Sequence, residues 1–176
     1  MKKALFIFLL LSVATVAAQE SVNPVIQSAG AVSTVPFASF TPDPNLEYKI
    51  IVDVMTGPED RSEISFAMNN VARMINLHAM AKIPLERMHV VLAIHNAAIF
   101  TALADTYHKE RYGVDNPHTP LFKELLDAGV KIVVCGQSLV KREIDPAHLV
   151  EGIEVATSAL TTLTEYQLRG YALLRF

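Results

Sequence analysis

Short, mainly apolar and β-branched runs recur at residues 48–55, 88–95, 130–135, 153–157 and 171–176, and helix-like stretches separate them. Continuous apolar strands alternating with helices build a parallel sheet whose two faces are both covered. The pattern therefore predicts an α/β chain, a single three-layer α/β/α domain of Rossmann-like type with a mainly parallel five-stranded sheet.

The connecting segments carry their own signals. After Gly57-Pro58, the residues Ala67, Met68, Val71, Ala72, Ile75 and Ala79 recur at helical spacing, and Phe66, Met74, Leu77 and Met80 form a second stripe. A helix apolar on two faces requires two cover layers. Glu59, Asp60 and Glu63 are expected in the acidic first turn of that helix. A second helix is expected over residues 97–112. A third should run from a Thr119 cap and Pro120 at the first helical position to Leu126, with Gly129 as its stop. Short helices are expected over 138–143 and 159–169, the latter ended by Gly170.

Residues 1–18 begin Met1-Lys2-Lys3, continue with an apolar stretch and end Val16-Ala17-Ala18, the pattern of a cleavable secretory signal peptide with its site near Ala18. The expectation is an exported, periplasmic protein with no membrane span in its mature form. Residues 19–45, with Pro24, Pro36, Pro42 and Pro44, read as an extended arm, either a wrap or a tether, and residues 46–176 as the α/β domain. Without Lys2 and Lys3 the chain keeps 13 basic residues against 18 acidic ones, a formal charge of −5. That balance argues against a nucleic-acid partner. The apolar content of 51% points to a homo-oligomer.

Parallel α/β sheets gather ligands at the carboxyl ends of their strands. Those ends supply Thr56, His95, Asn96, Cys135, Gly136, Gln137, Ser138 and Ser158. Cys135 is the lone cysteine of the chain, so no internal disulfide is available to it. Its place before a helix start favours a thiolate, with Lys141 and Arg142 about one turn on. His95 would orient or deprotonate it if the two strands are neighbours. The alternative is a small, inert residue in the wall of the core. His78, His89, His108, His118 and His148 read as structural or solvated.

Other chemistries lack their signatures. No histidine or cysteine pair has zinc-site spacing, and Asp105 with His108 reads as a surface pair. Glycine-rich phosphate loops and the G-x-S-x-G elbow are missing, so no cofactor or metal is expected and a serine hydrolase is disfavoured.

Several segments occur in a telling order: residues 48–54, Gly57-Pro58-Glu59, His95, Gly113-Val114-Asp115-Asn116-Pro117, Gly129-Val130, Cys135-Gly136-Gln137-Ser138, Ile144-Asp145-Pro146 and Gly170-Tyr171. With Gly30 and Val35-Pro36 in the arm, this order resembles the exported branch of the DsrE/DsrF-like sulfur-relay family. The resemblance implies a homo-oligomeric α/β/α fold. It implies that the cysteine after the third strand, here Cys135, carries sulfur as a persulfide and exchanges it with a donor or acceptor, either a protein or a small sulfur compound. His95 matches a strand-end histidine that a glycine usually follows; Asn96 follows it here, a departure that the turn is expected to survive because asparagine tolerates unusual backbone angles. The residues are compatible with a sulfurtransferase or sulfur carrier. The alternative is a non-enzymatic module that binds a small ligand or builds an oligomer, with Cys135 in its cleft wall.

Overall fold

The computed structural model describes residues 21–176, and the expected signal peptide lies outside them. Two short strands, β1 (Ser21–Val22) and β2 (Val32–Ser33), pair antiparallel. The main sheet contains β3 (Tyr48–Val54), β4 (Met88–Ile94), β5 (Lys131–Cys135), β6 (Glu154–Ala156) and β7 (Ala172–Arg175) in the order β6-β5-β4-β3-β7. All four pairings are parallel. Five helices connect them: α1 (Phe66–Met80), α2 (Asp105–Tyr112), α3 (Thr119–Asp127), α4 (Gly136–Arg142) and α5 (Ala159–Leu168).

From β3 to β6 the strands step across the sheet in one direction, and only the β6-to-β7 connection returns. Right-handed crossovers place the stepwise connections on one face and the return on the other. The packing follows that rule. Ile50, Val52, Val54, Leu92, Ile94, Ile132 and Val134 meet α1, α3 and Leu139 of α4 in the main core. Residues of the opposite parity, Ile51, Val91, Ala93 and Val133, meet Leu163 and Tyr166 of α5. Every strand side chain is thus assigned to a layer by the period-two pleat.

Several local expectations are corrected. The segment expected as one helix over 97–112 is a 3-10 helix at Asn96–Ala102 followed by α2. Between them, Leu103 bridges Leu149, the Ala104 amide donates to the His148 carbonyl at 2.8 Å, and the Val150 amide donates to the Ala102 carbonyl at 2.9 Å. This pairing with the 146–150 loop takes the backbone groups a continuous helix needs. Helix α1 starts only at Phe66, where the Ser65 hydroxyl accepts from the Met68 amide. Glu59, Asp60 and Glu63 therefore precede it, and Asp60 closes a local turn on Ser62. Thr119 is inside α3 rather than at its cap, which is His118, and its hydroxyl donates to Asp105 instead. Of the second stripe on α1, Met74 is buried, whereas Phe66 is 75% exposed.

The arm is built into the domain from residue 21 to residue 33. Ile26, Ala29 and Val32 are buried against α1. The Asn76 side chain binds this segment from below. Its Oδ1 accepts from the Val25 and Ile26 amides, and its Nδ2 donates toward the carbonyls of Ile26, Ala29 and Gly30. Gly30 passes so close to α1 that a Cβ there would lie 2.2 Å from the Arg73 nitrogen, and its φ of +71° also favours glycine.

Candidate functional site

The connection leaving β5, α4, packs on one face of the sheet, and the connection leaving the adjacent β6, α5, packs on the other. Adjacent strands whose exits diverge in this way open the crevice where doubly wound sheets bind ligands. Cys135 ends β5 at that point. It caps α4, and its sulfur lies 4.0 Å from the hydroxyl of Ser158, the cap of α5.

Cys135 is only 5% exposed. Burial alone raises a thiol pKa, but hydrogen bonds from the Ala159 amide, the Ser138 hydroxyl and amide, and the Ser158 hydroxyl outweigh it and hold the thiol below its ordinary value. The sequence places those donors there for a local reason: a serine sits at or just after the start of each helix that leaves the paired strands. Gly136 allows the close fit. A Cβ on it would lie 2.7 Å from the Ala156 carbonyl oxygen, so a larger residue would force α4 away from β6.

The same sheet edge carries three further polar groups. Asp53 on β3 pairs in register with Ala93 of β4 and Arg175 of β7, so it lies on the α5 face. Its carboxylate, nearly buried, accepts from Nε2 of His95 at 2.6 Å and meets Nε of Arg175 at 3.2 Å. Ile94 pairs with Val134, which brings His95 and Cys135 to the ends of neighbouring strands. Arg175 and Asp53 are thus in register on β7 and β3, and His95 and Cys135 follow two residues beyond the Ala93 and Val133 that continue that row on β4 and β5. The imidazole bonds to Asp53 rather than to the thiol.

Asn96 adopts the left-handed conformation, φ +51°, that its identity favours. Its amide donates to the Ser138 hydroxyl at 3.2 Å, and its Oδ1 accepts from Arg142 at 3.1 Å. It thereby ties the end of β4 to α4. Thr56 and Gln137 are exposed on the same edge. Asp105 and His108 part company: Asp105 accepts from the Asn116 amide and Thr119, while His108 is buried against Val114 and Tyr112. Among the described residues, no group of three or more histidine, cysteine or acidic side chains is placed to hold a metal ion.

Asp53 and Arg175 escaped the sequence reading. An acidic residue inside the otherwise apolar run Ile50-Ile51-Val52-Asp53-Val54 was the available signal, since a buried charge in a central strand needs a partner. Arg175 had no such signal, because only the β3–β7 pairing brings the two together.

Residues 49–176 match the DsrE/DsrF-like family model. Among solved structures, the chain is similar to MTH1491 of Methanobacterium thermoautotrophicum, a protein of unknown function, at 21% identity and a TM-score of 0.56. It is similar to the ychN protein of E. coli at 20% identity and a TM-score of 0.53. Each alignment covers 73% of this chain and 99% of the other. No curated protein matches it.

Proposed function

The chain belongs to the DsrE/DsrF-like family, and on that premise we propose that it handles sulfur, with Cys135 carrying it as a persulfide. The family supports a sulfur-relay role in general. The observation that carries the finer reading is the thiol itself, set in the crevice between α4 and α5 at 4.0 Å from the Ser158 hydroxyl, where backbone and serine donors hold its pKa below the ordinary value.

In the proposed reaction the Cys135 thiolate attacks the outer sulfur of a donor persulfide, R–S–SH. A Cys135–sulfur bond forms, the donor's sulfur–sulfur bond breaks, and R–S⁻ leaves with the bonding pair. The proton stays on the transferred sulfur. An acceptor thiolate then takes that sulfur in the same way and regenerates the Cys135 thiolate. Neither step needs an external oxidant or reductant. His95, fixed through Nε2 by Asp53, acts as a positioning residue at the same edge. In this proposal the chain works as a homo-oligomer outside the cytoplasm, a reading supported by the leader-like pattern of its first 18 residues.

The test is the alkylation rate of Cys135 in the folded protein as a function of pH, followed by mass spectrometry after incubation with a low-molecular-weight persulfide. The expected result is reaction with an apparent pKa below that of a free thiol, and gain of one sulfur that is lost in Cys135→Ser. A thiol that reacts only after unfolding would overturn the carrier reading and leave Cys135 as a wall residue of a binding or structural module.

A further inference from the structure

Three arginines from three different segments converge on one aromatic ring at the other side of the strand ends. The Arg61 guanidinium, in the loop after β3, lies 5.9 Å from the Phe100 ring centre and 5.2 Å from that of Tyr112. Arg111 of α2 lies 4.7 Å from Phe100 and 5.8 Å from Tyr112. Arg142 of α4 lies 5.7 Å from Phe100.

The chain is acidic overall, yet none of these three guanidiniums, which share one ring, has a described carboxylate within ion-pairing distance, in contrast to Arg87, Arg169 and Arg175. Nη1 of Arg61 is sequestered from solvent and meets no hydrogen-bond acceptor. A Cβ on Gly57 would sit 3.1 Å from that atom, so the backbone itself closes over it. A desolvated guanidinium with an unused donor is costly unless an opposite charge lies nearby. The aromatic faces offset part of the repulsion among the three cations but supply no acceptor to their N–H edges, of which one, on Arg142, is used by Asn96 Oδ1.

We propose that Arg61, Arg111 and Arg142 around Phe100 form a binding site for a small, doubly charged tetrahedral oxyanion. Thiosulfate and inorganic phosphate share the required charge and oxygen geometry, which guanidinium forks match. The site is separate from the thiol chemistry of Cys135. The two share α4, which Cys135 caps and Arg142 ends, and the Arg142–Asn96–Ser138 hydrogen bonds, but the anion site uses no sulfur chemistry, so anion binding does not depend on the sulfur-carrier reading.

The test is calorimetric titration of the full chain with thiosulfate, phosphate and chloride at constant ionic strength, which holds general screening fixed. One saturable site is expected for the divalent anions and none for chloride. Preference for thiosulfate would assign a sulfur-oxyanion source and preference for phosphate a phosphate source, and either supports the site. The surface pair Arg111→Gln and Arg142→Gln, confirmed as folded by its melting curve, should weaken binding about tenfold or more. Arg142→Lys, which keeps the charge and loses the fork, should weaken it less, and Cys135→Ser should leave it unchanged. Divalent anions that bind no better than chloride would overturn the proposal. So would undiminished binding in the folded double variant, or undiminished binding in Arg142→Lys if the double variant does not fold.

Discussion

At the scale of single residues, the polar groups buried beneath the strand ends decide which conditions the molecule tolerates. His118 is almost fully buried. Its Nε2 accepts from the Ser65 amide at 2.9 Å, and its Nδ1 donates to Asn116 Oδ1 at 3.0 Å, so the neutral imidazole is the form that fits. Burial, with nearby His108 and Arg61, lowers its pKa to about 4. Below pH 6.5 the unfolded chain therefore takes up a proton that the native chain refuses. This contribution to stability is present above pH 6.5 and is lost progressively as the pH falls to about 4. The loss should total roughly 3 kcal/mol. Urea unfolding midpoints measured from pH 7.5 to pH 4.5 should show this slope, and His118→Asn should flatten it. The histidine was legible as structural from the sequence. Its partner was not, because Ser65 lies 53 residues away and only the packing of α1 against the start of α3 joins them.

At the scale of elements, the most consequential piece is the segment that reads as an arm. Its prolines and lack of periodicity describe its backbone correctly, but nothing local in residues 21–33 names Asn76 as the residue that receives it. Asn76 lies in α1 among apolar neighbours, and its amide serves five backbone groups of the arm. Asn76→Ala would strand those groups. It should cost about 2–3 kcal/mol, and hydrogen exchange at Val25 and Ile26 should lose protection while the amides of β4 keep theirs. Retained protection at Val25 and Ile26 would show that the apolar seat of Ile26 suffices without the amide. The broken helix at 96–112 teaches the same lesson: residues 102–104 have helical neighbours on both sides, and a long-range pairing with residues 148–150 prevails.

At the scale of the whole molecule, the sheet is covered unequally. The stepwise connections place several helices and the arm on one face, and the single return places α5 on the other. Helix α5 turns Ala159 and Thr162 inward but leaves Leu160 and Leu168 75% and 84% exposed. A helix apolar on its outer side is suited to an interface between subunits. If the homo-oligomer forms there, the Leu160→Glu, Leu168→Glu double variant should sediment as a monomer while the unsubstituted chain does not, with the melting temperature of the protomer little changed. An unaltered oligomeric mass would remove α5 as the interface, and an unsubstituted chain that sediments as a monomer would overturn the proposed homo-oligomer. The sequence by itself determined the layer architecture, the strands and the position of Cys135 at a strand end, because each rests on local periodicity and turn chemistry that neighbouring residues specify. Only the tertiary structure decided the strand order, the grouping of Arg175, Asp53 and His95 at the edge that carries Cys135, and the arginines gathered on Phe100. Those depend on which distant segments become neighbours, and the closing energy of such contacts is spread over the whole packed core rather than written in any one stretch of chain.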